Sequence, residues 1–146
     1  MIVKTLFDTS VLVAALWANH PKHSACISRL KKVKSENIQG IICTHTLAEP
    51  YSVLTRLPIK PAISPQLAQQ LIRENLAEFE VISLSTEDYQ TVINKMVILN
   101  LTGGGIYDCL IAQVVFKVEV DQLLTLNPKH FIRLGEEVAK LVEVPT

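Results

Sequence analysis

The chain has 146 residues, 49% hydrophobic and 19% charged, and its 14 basic and 14 acidic residues leave a formal net charge of zero. That length suits one domain with a single large core, and the composition is that of a soluble globular protein. A zero net charge argues against a protein that grips nucleic acid by bulk positive charge, though not against a local basic face. Cys26, Cys43 and Cys109 are an odd number without paired spacing, which predicts reduced thiols and a cytoplasmic setting. Lys4 and Asp8 interrupt the apolar amino-terminal residues, so no signal-peptide pattern is expected, and no stretch reaches the length of a membrane span.

Ile2 to Phe7 is short, apolar and rich in strand formers, and reads as a buried strand. Asp8 ends it, Thr9 or Ser10 can cap a helix, and Val11 to Trp17 continues as that helix. A carboxylate is thereby expected at the carboxyl end of a central strand, the rim where open α/β sheets bind ligands. A simple Asp-Thr-Ser turn or cap accounts equally well for Asp8 taken alone. After a break at Asn19-His20-Pro21, a second helix is predicted from about Lys22 to Lys34. Ala25, Ile27, Leu30 and Val33 are its apolar positions, and Lys22, Arg29, Lys31, Lys32 and Lys34 make it basic.

Ser35 to Gly40 reads as a turn and Ile41 to Cys43 as a buried strand. A third helix starts at Thr44 or Thr46, with Leu47, Tyr51, Leu54 and Leu57 at helical spacing. Pro50 fits it only if the helix begins just before it or bends there. Ser64-Pro65 supplies a cap and a first-turn proline for a helix reaching about Glu78. Phe79 to Leu84 alternates like a half-buried strand, Ser85 opens a helix to about Leu99, and Gly103-Gly104-Gly105 precedes an apolar helix over Ile106 to Lys117. Leu123 to Thr125 is another buried strand, Asn127-Pro128 a turn, and Val142 to Val144 a last edge strand. Strands alternating with helices predict a three-layer α/β/α domain over residues 1–146, with a mainly parallel central sheet.

Three acids stand among apolar neighbours: Asp8 after Leu6-Phe7, Glu49 after Leu47-Ala48, and Asp108 between Ile106-Tyr107 and Cys109-Leu110. The others, Asp88 among them, fall where solvent is expected. Burying an isolated carboxylate is costly, so three such acids point to a common partner. Oxygen ligands without an accompanying His or Cys cluster suit Mg²⁺ or Mn²⁺ rather than Zn²⁺. Local roles compete with this reading. Glu49 can complete a capping box from Thr46, and Asp108 can serve the first turn of its helix. The glycine run lacks the spacing of a nucleotide cradle. His20 and His23 lack a third ligand, while His45 and His130 read as surface or supporting groups.

Taken together, Leu6-Phe7-Asp8-Thr9-Ser10, Glu49 on a mid-chain helix, Gly-Gly-Ile-Tyr-Asp108-Cys-Leu-Ile-Ala and Leu-Thr125-Leu-Asn127-Pro-Lys-His-Phe131 resemble the PIN-domain ribonucleases, and most of all the VapC-like toxins of toxin–antitoxin pairs. The resemblance covers nearly the whole chain, in order. It implies a metal-dependent endoribonuclease acting on RNA, often a homodimer, held in check by a cognate antitoxin. It implies Asp8, Glu49 and Asp108 as metal ligands, Ser10 and Thr125 as supporting hydroxyls, and Asn127 where many members carry a fourth acid. Glu49 is the expected group to orient or deprotonate the attacking water. Lys129, Arg133 and the basic second helix are expected contacts to the RNA backbone. Two alternatives remain at this stage: a catalytically silent PIN-like domain that binds RNA or protein, motivated by Asn127, and a phosphotransfer domain with Asp8 as nucleophile.

Overall fold

The computed structural model describes residues 2–146. Five strands form one sheet: β1 (Val3–Phe7), β2 (Ile38–Cys43), β3 (Glu80–Ile82), β4 (Gln122–Leu124) and β5 (Val142–Glu143). Their order across the sheet is β3-β2-β1-β4-β5, and every pairing is parallel. The helices are α1 (Thr9–Leu16), α2 (His23–Lys34), α3 (Glu49–Arg56), α4 (Pro65–Leu76), α5 (Thr86–Ile98), α6 (Gly105–Gln113), α7 (Pro128–Ile132) and α8 (Glu136–Ala139). The inner strands β1, β2 and β4 are buried on both sides toward their carboxyl ends because neighbouring apolar residues face opposite layers. Phe7, Ile42 and Leu124 pack with α1, α2 and the end of α4. Leu6, Ile41 and Leu123 pack with α5, α6 and the segment from Phe131 to Val138. The three-layer α/β/α expectation is therefore met. No helix among the described residues is long and apolar enough to cross a membrane.

Several local expectations change. The second strand starts at Ile38, because Ile38 and Gln39 pair in register with Val3 and Lys4. Glu36, at φ 62°, makes the preceding turn tight enough to allow this. The third helix is broken: a 3₁₀ turn over Thr44–Leu47 ends at Ala48, and α3 begins at Glu49. Pro50 thus occupies the first turn, where its missing N–H costs nothing, and no capping box forms from Thr46. The apolar sixth helix tightens to a 3₁₀ turn at Val114–Phe116. Pro128 opens the short helix α7 where a turn was expected.

Asp88 is the clearest reversal among the acids. Expected in solvent, it is only 9% exposed. Its carboxylate accepts from the Ser85 backbone N–H at 2.7 Å, from Lys117 Nζ at 2.5 Å and from Gln113 Nε2 at 3.3 Å. With Ser85 Oγ accepting from the Asp88 N–H, a capping box starts α5. The Lys117 ammonium, and then the Ser85 backbone N–H, lower its pKa to about 2.

Candidate active site

The chain leaves β1 for β2 on one side, while β4 joins β1 from the other. The crevice between the carboxyl ends of β1 and β4 is the switch point where a parallel sheet offers a binding site. Asp8 and Thr125 stand on its two sides, and the Asp8 N–H donates to Leu124 O at 2.9 Å. Asp8 precedes α1, yet its side chain caps nothing there. Its Oδ2 instead accepts from Ser10 Oγ at 2.7 Å and from Thr125 Oγ1 at 2.8 Å. Those hydroxyls accept in turn from the Leu126 and Asn127 N–H groups, at 3.0 and 2.9 Å. The loop after β4 is thereby fastened onto Asp8. Burial raises the Asp8 pKa, the Ser10 and Thr125 hydrogen bonds offset part of that rise, and the Glu49 charge adds to it.

Glu49 reaches the same rim from the start of α3. Its Oε1 accepts from Thr9 Oγ1 at 2.5 Å, and its Oε2 lies 3.5 Å from His45 Nε2. The His45 ring stacks on Tyr107 with centroids 4.8 Å apart, and its Nε2 has no closer hydrogen-bond partner among the described residues. His45, aided by Thr9, holds the Glu49 pKa below its ordinary value despite partial burial. Asp108 lies in the first turn of α6, which the chain enters through Gly103 at φ 62°. His130 Nδ1 lies 3.4 Å from Asp108 Oδ2. Burial, then the Asp8 charge, push the Asp108 pKa up to about 6, and His130 only partly opposes them.

A cavity of about 850 Å³ opens on this rim and is lined by Asp8, Glu49, Asp108, Asn127 and Arg133 among others. Asn127 precedes α7 but makes no capping hydrogen bond with its side chain, so its amide is free to face the cavity. Arg133 reaches it by lying against α6, where a Cβ on Gly105 would come within 2.8 Å of its Nη2. Glycine at 105 leaves the space for that guanidinium.

The donor set fits a hard divalent cation in one particular manner. Its groups are oxygens, and beside the effect of burial the Glu49 charge raises the Asp8 pKa while the Asp8 and Glu49 charges raise that of Asp108, a penalty a cation relieves. Among the described residues, however, no three His, Cys, Asp or Glu side chains are gathered closely enough to hold an ion by themselves. Mg²⁺ keeps several of its waters and needs only one or two carboxylates directly, so the arrangement suits an ion held partly through water.

Every acid singled out by its apolar neighbours reaches this rim, as do Ser10, Thr125 and Asn127. Of the expected backbone contacts, Arg133 lines the cavity and Lys129 does not. The basic second helix is divided: Lys22 lines the cavity, whereas Lys31, Lys32 and Lys34 end at the opposite edge of the sheet. There α2 leads into Ile38, which pairs with the start of β1. Thr9 was legible as a cap, not as a donor to a residue 40 positions away. Trp17 carried no signal beyond helix membership.

A carboxylate-lined rim on an all-parallel five-stranded sheet defines the class, and the chain belongs to the PIN domain family, whose model matches residues 5–137. Within it, the chain is 33% identical over 105 residues to Ribonuclease VapC27 of Mycobacterium tuberculosis, covering 72% of each protein. It is 31% identical to Ribonuclease VapC40 of the same organism, over 71% of this chain and 72% of that one. Among solved structures, the fold matches VapBC2 from Rickettsia felis, bound to a DNA fragment from their promoter, with a TM-score of 0.69 at 22% identity and full coverage of both chains. It also matches Mycobacterium tuberculosis VapC20, a sarcin-ricin loop cleaving toxin, with a TM-score of 0.65 at 15% identity, over 82% of this chain and 86% of that one.

Proposed function

We propose that this protein is a metal-dependent endoribonuclease, the toxin of a toxin–antitoxin pair, that hydrolyses RNA phosphodiester bonds at the Asp8–Glu49–Asp108 rim. The observation that carries the reading is electrostatic. Acids from three distant segments line one cavity, and the charges of Asp8 and Glu49 both push Asp108 away from ionising. Carboxylates whose ionisation is disfavoured by their neighbours, gathered in one cleft, mark a functional site, and a bound cation would relieve their repulsion. The relatives named ribonucleases supply the reaction class.

Asp8, Glu49 and Asp108 would hold Mg²⁺ or Mn²⁺, with the Asn127 amide available as a further neutral oxygen donor in the same cavity. When bound, the ion lowers the pKa of an attacking water and screens the phosphate's developing charge. Ser10 and Thr125 fix the Asp8 carboxylate, so its free oxygen faces the cavity in one orientation. Glu49, kept ionised by His45 and Thr9, orients or deprotonates the water. Arg133 and Lys22, which line the same cavity, receive the RNA phosphates, offsetting a negative site that otherwise repels its substrate.

The test is an RNA-cleavage assay with Mg²⁺, with Mn²⁺ and with EDTA. Cleavage that requires the metal and stops with EDTA is expected. Cleavage unaffected by EDTA would remove the metal, and no cleavage under any metal would remove the nuclease. A protein partner is supported by the likeness to VapBC2. A homodimer is supported by α5, whose Tyr89, Ile93 and Val97 form an outward apolar stripe at four-residue spacing. Light scattering, alone and with the product of the neighbouring reading frame, measures both assemblies.

A further inference from the structure

The cavity extends beyond the carboxylates into an arm that the hydrolysis of a phosphodiester does not use. Val13, Trp17, Val53 and Leu57 line it, and His20 and Lys22 line the same cavity. Trp17 ends α1, and its backbone N–H donates to Val13 O at 2.9 Å, so its position is set by the helix that Asp8 begins. The Trp17 side chain packs on the small cluster of Val13, Leu54 and Ala68. The ring is nonetheless only half-buried, and His20 meets it edge-on at a centroid distance of 5.8 Å. Lys22 pairs with no carboxylate among the described residues.

We infer that this arm is a nucleobase subsite, in which Trp17 is the stacking platform for a base flanking the cleaved bond and Lys22 contacts the adjoining phosphate. The inference rests on the ribonuclease reading for its position along the strand, though not for the binding of a base. An apolar floor, an aromatic face and an unpaired ammonium are the three elements single-stranded nucleic acid uses when bound by stacking. The continuity of the arm with Asp8 places the base next to the reacting phosphate. Stacking on an aromatic tolerates any base, so this subsite contributes affinity and register more than a choice among the four bases.

Trp17 is the only tryptophan, so its fluorescence reports this arm alone. Adding each of the four ribonucleoside 5′-monophosphates to the metal-free protein should quench or shift that emission. Inorganic phosphate and ribose 5-phosphate at equal concentration should not. In cleavage assays on short single-stranded RNAs, Trp17→Ala should raise KM roughly 5- to 150-fold with little change in kcat, the range of one lost base stack. Trp17→Phe should restore most of the loss. An abasic nucleotide at one position should raise KM for the wild type and have no further effect on Trp17→Ala. Melting curves of both variants show whether each is folded. Quenching by nucleotides without any RNA cleavage would uphold the subsite and remove the nuclease reading. Metal-dependent cleavage in which a folded Trp17→Ala keeps its KM, or emission that nucleotides leave unchanged, would overturn the subsite while leaving the nuclease intact. In that case the arm faces solvent or a protein.

Discussion

Two aspartates drawn in from solvent, the buried Asp88 and the half-buried Asp108, lie on consecutive helices of the same layer and have opposite electrostatics. Asp88 has a lysine, an amide and a backbone N–H around its carboxylate, and its pKa falls to about 2. Asp108 has burial and then the Asp8 and Glu49 charges against its ionisation, which His130 and Arg133 only partly oppose, and its pKa rises to about 6. The first is an acid whose cation is built into the fold. The second is an acid whose cation is left to come from outside. A buried carboxylate by itself indicates neither role; what surrounds it decides.

The largest expected effect is on the Asp108 side. Asp108→Asn should reduce RNA cleavage by about 10²–10⁴-fold, the usual range for a lost acid–base or ligand group. Its metal-free melting temperature should equal or exceed that of the wild type, because the change removes a charge the fold disfavours. Mg²⁺ should then raise the melting temperature of the wild type more than that of the variant. A variant that is destabilised yet fully active would erase the contrast with Asp88.

Asp88→Ala should do the reverse. Loss of the capping box and of the Lys117 hydrogen bond should cost about 1–3 kcal/mol in urea unfolding, with cleavage per folded molecule unchanged. The pH dependence separates the two acids further. Asp88 has a lowered folded pKa, so its stabilisation is present above pH 4 and is lost as pH falls from about 4 toward 2. Asp108 has a raised folded pKa, so metal-free protein should lose stability as pH rises from about 4 through 6. Thermal melts across this range should show both limbs, and Asp108→Asn should weaken only the second, the raised Asp8 carboxyl keeping part of it.

Thr125→Val should have a smaller effect, since it removes one donor to Asp8 and leaves the Asn127 N–H without its acceptor. Mg²⁺ affinity, read by calorimetry, should fall about 10–100-fold, as when a supporting partner of a ligand is lost. The smallest effect should follow Lys31, Lys32 and Lys34 all changed to Ala. RNA binding should keep most of its salt slope, whereas Arg133→Ala should lower it by about one. A large change from the three lysines would mean that the RNA reaches the far edge of the sheet.

The sequence alone determined the layered fold, because alternating strand and helix periodicity is a local property with few parallel-sheet solutions. It also marked Asp8, Glu49 and Asp108, because an acid among apolar residues is visible without coordinates, and the ordered motifs around them marked the family. Only the tertiary structure decided which acids are satisfied. Lys117 reaches Asp88 across 29 residues, and Thr9 and Thr125 reach Glu49 and Asp8 across 40 and 117. Such pairings depend on which strand ends lie side by side and on which edge of the sheet each helix begins. For the same reason the basic second helix could not be apportioned from its composition. Its first lysine is at the cavity and its last three are at the opposite edge, because α2 runs from the rim to the start of β2.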